Sequence, residues 1–403
     1  MNAPGDTYST PPLAHRASRM RGSVVREILS VTQRPEIISL AGGLPSPDCF
    51  PVEALRAAFD HVLRISGATA LQYSTTEGHP PLREWIAHYE SSLGTPTSAD
   101  QVLIVSGSQQ ALDLICKVLV DADDAVLVEA PSYPGALQVF AHCGARCIAV
   151  AADTEGLLTD GIGATIDATG AHLLYVMPSF QNPSGHLMPT ERRADLANAA
   201  RTHGLWLIED DPYAELWFRS APPVPLRAHA PERTIRISSL SKTLAPGLRL
   251  GYVVGPRDVI DALVRAKQAT DLHTSTLAQF AVHEVLASGM LDDHLPKVRA
   301  RYAAQCDLMA RAIAREFPQH AQWTRPAGGM FIWVGLANVD TDALLTAALE
   351  RHVAFVPGSA FYTEAQIGDK RVHEMRLSFA TATPAAIDQG IATLGALLRA
   401  QSL

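Results

Sequence analysis

The sequence lacks the residue patterns of several common kinds of site. Its five cysteines are an odd number with no CxxC pair, and its 15 histidines include no HExxH motif. Neither a disulfide framework nor a zinc site is indicated, and we expect no bound metal. The sequence also contains no GxSxG nucleophile elbow and no GxxxxGK[ST] phosphate loop.

An excess of positive charge and long apolar runs are missing as well. The 403 residues carry a formal net charge of −8, whereas nucleic-acid binding depends on clustered Lys and Arg that neutralise phosphates. No stretch of 18 consecutive apolar residues is present, and the first twenty residues contain no signal-peptide core. We therefore expect a cytoplasmic protein that binds neither nucleic acid nor a membrane.

From about residue 100, the sequence alternates short β-branched runs with segments of helical length. This alternation predicts an α/β fold with a mostly parallel sheet that is covered on both faces. The predicted strands are Val102–Ser106, Ala125–Glu129, His172–Met177, Leu205–Glu209, Thr234–Ser238 and Leu250–Val254. The predicted crossover helices are Gln109–Val120, Thr190–Thr202 and Asp258–Ala269.

The pattern changes after about residue 285. A long helical stretch rich in Arg and Ala precedes three apolar runs, Met330–Val334, Val353–Val356 and Met375–Phe379. They predict a smaller α+β domain, against which the Pro- and Gly-rich segment before residue 60 is expected to pack. The predicted division is an N-terminal arm with part of the small domain (1–60), a large domain (61–290) and a C-terminal small domain (291–403).

Polar residues follow several predicted strands, at the sheet edge where open α/β proteins bind ligands. The first strand ends at Ser106 and runs into GSQQ, where a helix begins. Such a turn presents free backbone N–H groups to an anion, although a simple capped helix start has the same pattern. After the third strand, Asn182 precedes a proline and is biased towards extended backbone. Its amide is a candidate donor to a ligand, and a turn asparagine is the alternative.

Two further segments carry ionisable residues at the same edge. Lys242 lies just beyond a strand, among serines, with Arg249 seven positions later. A lysine that forms a Schiff base must be positioned and partly desolvated, whereas an ordinary lysine lies in solvent. Another strand leads into Asp210, Asp211 and Tyr213. A buried carboxylate there would keep a pyridine nitrogen protonated, and the alternative is that both aspartates cap a helix or turn.

Together these segments resemble the fold-type I pyridoxal-phosphate enzymes, and within them the class I and II aminotransferases. The matching segments cover nearly the whole chain: AGGLP at 41–45, LQYSTTEGHPPLRE at 71–84, SGSQQALD at 106–113, EAPSYPG at 129–135, QNPSG at 181–185, EDDPY at 209–213, SKTLAPGLRLG at 241–251 and MRLSFA at 375–380. The resemblance implies a three-layer αβα large domain with a mostly parallel seven-stranded sheet and a smaller α+β domain. It also implies pyridoxal 5'-phosphate as the cofactor, bound by the large domain.

The resemblance implies roles for individual residues. Lys242 looks like the lysine that holds the cofactor as a Schiff base and then moves the proton at the substrate α-carbon. Asp210 is similar to the partner of the pyridine nitrogen, and Tyr213 and Asn182 are similar to the residues that bond the ring hydroxyl. The residues that match the stacking ring and the phosphate cup are Tyr133, Ser108, the backbone of Gln109, Ser239, Ser241 and Arg249.

The same resemblance implies how substrates and a partner subunit are bound. Arg376 matches the arginine that holds the substrate α-carboxylate in a bidentate fork, near Gly43 of AGGLP and Asn182. Tyr73 lies in the segment that reaches the phosphate of the neighbouring subunit, which implies a homodimer with shared active sites. Within the family, the resemblance is strongest to bacterial 2-aminoadipate aminotransferases and their kynurenine aminotransferase relatives. Arg26 in VVREIL is similar to their mobile arginine that meets a distal carboxylate, and an exposed helix arginine is the alternative.

The sequence thus predicts a ping-pong aminotransferase. The donor would be an L-amino acid of 2-aminoadipate, aromatic or branched-chain type, and the acceptor a 2-oxo acid such as 2-oxoglutarate. β-Elimination or decarboxylation on the same scaffold is an alternative, because these reactions share the lysine and the ring partner. Some transcriptional regulators fuse a winged helix to such a domain, but only about 35 residues precede SLAGGLP. Because that length is too short for a winged helix, we do not expect the remaining alternative, an effector-sensing regulator domain.

Overall fold

The structure of the chain, a computed structural model, describes residues 34–367 and 372–401 together with residues 12–14, 17, 22, 28 and 32. In chain order the strands are β1 (Ile38–Ser39), β2 (Val102–Val105), β3 (Ala125–Val128), β4 (Arg146–Ala149), β5 (Ala152–Asp153), β6 (Gly156–Leu157), β7 (Leu173–Val176), β8 (Trp206–Asp210), β9 (Thr234–Ser239), β10 (Gly251–Val254), β11 (Gln322–Trp323), β12 (Phe331–Gly335), β13 (Val353–Ala354), β14 (Val356–Pro357) and β15 (Glu374–Ser378). The α-helices are α1 (Val52–Ala70), α2 (Pro80–Ser92), α3 (Ser108–Leu119), α4 (Pro134–Cys143), α5 (Ile162–Thr169), α6 (Thr190–His203), α7 (Leu226–His229), α8 (Arg257–Asp271), α9 (Thr276–Ala287), α10 (Met290–Glu316), α11 (Thr341–Glu350), α12 (Glu364–Ile367) and α13 (Pro384–Gln401).

Seven strands form the central sheet, in the order β2-β10-β9-β8-β7-β3-β4. β10 runs antiparallel to both of its neighbours, and every other neighbouring pair is parallel. The six strands predicted from the sequence are confirmed, with each end within one residue. The sequence did not indicate β4, whose end residues Arg146 and Ala149 are exposed. An edge strand pairs on one side only, so it does not need the continuous apolar run that marks the buried strands.

Apolar side chains alternate between the two faces of the central sheet. In β2, Leu103 and Val105 pack into a core with α3, whereas Val102 and Ile104 pack with α1, α2 and α9. In β7, Leu174 packs with α5 and α6. Helices therefore cover both faces, and the predicted three-layer αβα arrangement is confirmed.

A second, antiparallel sheet has the order β11-β12-β15-β14. Helices α10 and α13 pack on it, because Met309 and Leu394 belong to the same apolar core as Phe331 and Met375. β1 pairs in parallel with β13 and so joins the segment before residue 60 to this part of the chain. These elements form the smaller α+β unit of the predicted fold.

The apolar run Val353–Val356 forms two short strands rather than one. Val353–Ala354 pairs with β1, whereas Val356–Pro357 pairs with β15, because the chain changes partners at the buried Phe355. The predicted domain boundaries remain a prediction: residue 60 lies within α1, and residue 290 is the first of α10. None of the helices in the described residues is both long enough and apolar enough to cross a membrane.

Candidate active site

The predicted site residues meet at the carboxyl end of the parallel strands. A cavity of about 300 Å³ lies there, between the loops that follow β2, β7, β8 and β9. Its lining includes, from the predicted residues, Gly43, Ser108, Gln109, Tyr133, Asn182, Asp210, Tyr213, Ser239, Ser241, Lys242, Arg249 and Arg376. Of the predicted site residues that the structure describes, only Tyr73 does not line it. The fold therefore gathers residues that the sequence separates by more than 300 positions, such as Gly43 and Arg376.

Lys242 lies three residues after β9, inside the cavity. Its Nζ donates a hydrogen bond to the backbone oxygen of Gly43 at 2.8 Å. Burial lowers the pKa of Lys242 to about 8, and the positive charges of Arg376 and Arg249 act in the same direction. Near neutral pH a useful fraction of the amine is therefore uncharged, as a nucleophile or a proton acceptor requires.

Asp210 is the last residue of β8 and is 2% exposed. Its Oδ2 accepts a hydrogen bond from the hydroxyl of Tyr175 at 2.8 Å. Its Oδ1 is buried and has no hydrogen-bond partner in the described residues. Burial raises the pKa of Asp210 to about 7, and the bond from Tyr175 opposes this rise. A buried acceptor without a partner is unfavourable, so this oxygen is suited to a donor on a ligand.

Two tyrosines and an asparagine line the cavity around Asp210. Tyr213 is buried and packs edge-on against Phe331, with ring centroids 5.8 Å apart. Burial raises the pKa of Tyr213, while a hydrogen bond with Asn182 lowers it, and burial raises the pKa of Tyr133 to about 12. Both phenols therefore stay protonated at neutral pH and are available as donors to a ligand.

The end of the cavity at α3 is suited to an anion. Ser108 is the first residue of α3, and the first N–H groups of a helix have no acceptor within it. Arg249 donates from Nη2 to the backbone oxygen of Ser106 at 3.0 Å. Gly107 has a φ of 94°, and a Cβ there would lie 2.7 Å from Nη2 of Arg249, so only glycine fits. The predicted phosphate-binding residues thus lie together around a positive end of the cavity.

Arg376, on β15, is 2% exposed. Its guanidinium donates to the oxygen of Ala41 at 2.6 Å and to Oδ1 of Asn182 at 2.8 Å, and it lies 4.2 Å from the ring centroid of Phe331. Burial lowers the pKa of Arg376 to about 10, which still leaves it charged. In the described residues no carboxylate pairs with it, so the cavity contains a buried cation that is suited to a substrate carboxylate.

Tyr73 lies outside the cavity that contains Lys242. Tyr73 is 78% exposed and packs edge-on against His273, with ring centroids 5.8 Å apart. It lines an open cavity of about 590 Å³ rather than the one that contains Lys242. Arg26 lies outside the described residues.

The sequence did not single out two buried polar side chains next to the site. Tyr175 lies in β7, and Arg236 in β9 binds the carboxylates of Glu209 at 3.1 Å and Asp211 at 2.7 Å. Both stand within buried strands, and a hydroxyl or guanidinium in such a strand must find a partner. That pattern indicates a polar contact, but it does not say with which residue.

Comparison with known proteins relates this geometry to a family. The sequence matches the family model for aminotransferase class I and II over residues 35–394. It is 42% identical over 388 residues to a 2-aminoadipate transaminase of Thermus thermophilus, and the match covers 95% of each chain. A kynurenine aminotransferase of Pyrococcus horikoshii superimposes with a TM-score of 0.91 and 37% identity, covering 96% of this chain and 97% of the other. An α-aminoadipate aminotransferase of Thermus thermophilus, in complex with N-(5'-phosphopyridoxyl)-L-leucine, gives a TM-score of 0.88 and 40% identity, covering 96% and 97%.

Proposed function

The chain belongs to the class I and II aminotransferases, which makes it a pyridoxal-phosphate-dependent enzyme, and we propose that it works by a ping-pong mechanism with 2-oxoglutarate as acceptor. The amino donor that we propose is an L-amino acid of 2-aminoadipate, aromatic or branched-chain type. The single observation that carries the proposal is that the amine of Lys242 and the buried, carboxylate-free guanidinium of Arg376 line one cavity. An amine that can act on a substrate α-carbon thus lies beside a group that can hold its α-carboxylate.

The residues of the cavity fit the cofactor. Oδ1 of Asp210 is a buried acceptor without a partner, as the protonated nitrogen of a pyridine ring requires. The end at Ser108 and Arg249 offers helix N–H groups and a guanidinium to a phosphate. Lys242 lines the same cavity as both and is the residue that would form the covalent link. Tyr213 and Asn182 would bond the ring hydroxyl, and Tyr133 would stack on the ring.

The bound cofactor supplies an electron sink for the bond at the substrate α-carbon. Asp210 keeps the ring nitrogen protonated, because a buried carboxylate close to that nitrogen favours the charged pair. Lys242, released from its covalent link, takes the α-proton and returns a proton on the other side of the transferred nitrogen. Because the pKa of Lys242 is lowered to about 8, its amine can both take up and return a proton near neutral pH. Arg376 fixes the α-carboxylate and thereby the orientation of the α-hydrogen.

The donor is tested by a half-reaction screen. Purified protein is mixed with single amino acids, including 2-aminoadipate, kynurenine, leucine and alanine, and loss of the absorbance of lysine-bound cofactor is followed. We expect 2-aminoadipate to react with the highest kcat/KM among them, and Arg26→Ala to lower its rate about tenfold, since one charge-assisted contact to the distal carboxylate is lost. The rate with leucine, which has no distal carboxylate, should change little in Arg26→Ala.

Arg56→Ala is the matched control, because Arg56 pairs with Glu53 on the exposed surface of α1. This variant should behave as wild type with every donor. A preference for small neutral donors, together with no response to Arg26→Ala, would contradict the proposed specificity.

We also propose a homodimer in which Tyr73 reaches the partner subunit's phosphate site. Tyr73 is highly exposed and lies outside the cavity that contains Lys242 of its own chain. Ile65 and Leu71, which precede it in the chain, are exposed apolar residues, and so is Leu272, which lines the same open cavity as Tyr73. Exposed apolar side chains of this kind are typical of a subunit interface. Sedimentation of the purified protein should therefore give the mass of a dimer.

A hybrid dimer tests the role of Tyr73. One subunit carries Tyr73→Ala and the other Lys242→Ala, with different tags so that the hybrid can be purified. If Tyr73 acts across the interface, one site of the hybrid contains both intact residues, and the activity should recover to about half that of the wild-type dimer. Activity no higher than that of the Tyr73→Ala homodimer would show that Tyr73 does not act in the partner's site.

A further inference from the structure

Tyr175 is a buried tyrosine that contacts Asp210, the proposed partner of the ring nitrogen, without lining the cavity. It lies in β7, is fully buried, and pairs across the sheet with Ile208 of β8. Its hydroxyl reaches two residues further along β8 and donates to Oδ2 of Asp210 at 2.8 Å. Its ring packs edge-on against Phe140 of α4, with centroids 5.9 Å apart. Strand pairing and ring packing therefore fix the direction of the O–H group.

The hydroxyl of Tyr175 has a defined role in this contact. Burial and the neighbouring charge of Asp210 raise the pKa of Tyr175 well above its usual value, so the phenol stays protonated and donates. The bond uses one oxygen of Asp210, whereas the other oxygen has no partner in the described residues. The two oxygens are thereby distinguished before any ligand is bound.

We propose that Tyr175 is a positioning residue for the cofactor ring. By donating to Oδ2, it holds the carboxylate plane of Asp210, leaves Oδ1 directed to the ring nitrogen, and favours the ionised form that this nitrogen needs. The inference rests on the proposed role of Asp210 as the ring-nitrogen partner. Tyr175 itself does not line the cavity, so it acts only through Asp210.

Other groups near Asp210 do not replace this hydrogen bond. The titratable and charged groups that face it are Asp211 directly after β8, Tyr175 on β7, Arg236 on β9, and Tyr133 and Tyr213 in the cavity wall. Asp211 raises the pKa of Asp210, and Arg236 lowers it from a distance while its own guanidinium binds three buried carboxylates. Within the described part of the chain, Tyr175 is the only side chain that donates directly to Asp210.

The test uses the full chain freed of cofactor and two probes. One probe is pyridoxal 5'-phosphate, and the other is its analogue with carbon in place of the ring nitrogen. Tyr175→Phe keeps the ring that packs on Phe140 and removes only the hydroxyl. We expect it to weaken binding of pyridoxal phosphate about tenfold, as for the loss of one hydrogen bond to a charged group, and to leave the Kd of the carbon analogue unchanged.

Tyr302→Phe is the matched control. Tyr302 is also fully buried, its hydroxyl accepts a hydrogen bond from the backbone of Ser46 at 2.9 Å, and it does not line the cavity. This variant should change the two Kd values equally or not at all. If Tyr175→Phe weakens both probes by the same factor, or neither, Tyr175 has no role directed to the ring nitrogen and the inference is overturned.

Asp210→Ala distinguishes a failure of the proposed role of Tyr175 from a failure of the proposed role of Asp210. In this variant the protein should lose its preference for pyridoxal phosphate over the carbon analogue. If the preference persists, the proposed role of Asp210 is wrong, and the inference about Tyr175 fails with it. If the preference is lost in Asp210→Ala but unchanged in Tyr175→Phe, only the inference fails.

Discussion

Replacing Lys242 with alanine is expected to lower kcat for transamination by about 10³-fold or more. The substitution removes the amine that moves the proton at the substrate α-carbon, and positioned general acid–base groups contribute about 10²- to 10⁴-fold. It also removes the covalent link to the cofactor. Because Arg249 and the start of α3 remain, the variant should still bind the cofactor without a covalent bond. Steady-state kinetics and single-turnover spectra with 2-aminoadipate measure the loss.

Two other lysines serve as controls for this result. Lys117 is exposed and pairs with Asp113, and Lys117→Ala should leave kcat unchanged. Lys267 is buried and bound to Asp271 at 2.6 Å, outside the cavity, and Lys267→Met should affect stability rather than chemistry. A Lys242→Ala variant with a kcat within tenfold of wild type would show that another group performs the proton transfer.

The lowered pKa of Lys242 makes this prediction dependent on pH. In cofactor-free protein only the uncharged amine attacks an aldehyde, and the pKa of Lys242 is about 8. The rate of covalent attachment should therefore rise as the pH increases and level off above about 8, rather than continue to rise to the ordinary range of lysine. The Arg376 and Arg249 charges contribute to this lowering, so Arg376→Ala should move the profile to higher pH.

Arg376→Lys is expected to lower kcat/KM for every amino donor by about 10²-fold. The guanidinium of Arg376 is held by Ala41 and Asn182 and stacked near Phe331, and lysine cannot reproduce its fork. Loss of one charge-assisted bond to the substrate carboxylate, together with imperfect pairing of Asn182, should reduce the free energy of substrate binding by about 3 kcal/mol. The loss should appear mainly in KM, because the carboxylate is bound in both the ground state and the transition state.

Arg299→Lys is the comparison for Arg376→Lys. Arg299 is partly buried and pairs with Glu215, but it does not line the cavity. Its replacement should lower the melting temperature without a matching rise in KM. If Arg376→Lys keeps the wild-type KM for amino acids and also for 2-oxoglutarate, Arg376 does not bind the α-carboxylate.

The sequence predicted the central sheet well because local patterns determine buried strands. Most of the buried strands, such as β2, β3 and β7, are short apolar runs with polar residues close to their ends, so those ends could be placed within one residue. Edge strand β4 and the two short strands around Phe355 escaped prediction for the opposite reason. Their pairing depends on which strand lies beside them, and this information is not local.

The candidate site likewise has features that the sequence predicted and features that it did not. Asp210 is the last residue of a strand, and Lys242 and Ser108 each lie three residues after one, so the sheet topology alone brings them to one edge of the sheet. Contacts between distant side chains could not be predicted. The bond from Arg376 to Asn182 joins residues 194 positions apart, and that from Tyr175 to Asp210 depends on the register of β7 against β8. The resemblance to a family predicted roles for Arg376, Asn182 and Asp210, whereas Tyr175 and all of these contacts came from the structure.

The proposed chemistry depends most on Lys242 as the residue that carries the cofactor. The most direct measurement is reduction of the cofactor-loaded protein with borohydride, followed by proteolysis and mass spectrometry of the labelled peptide. We predict one phosphopyridoxyl group per chain, attached to Lys242 in the segment SKTLAPGLRLG, and no label in Lys242→Ala. A label on another lysine, or a stable reducible adduct in Lys242→Ala, would show that Lys242 does not carry the cofactor.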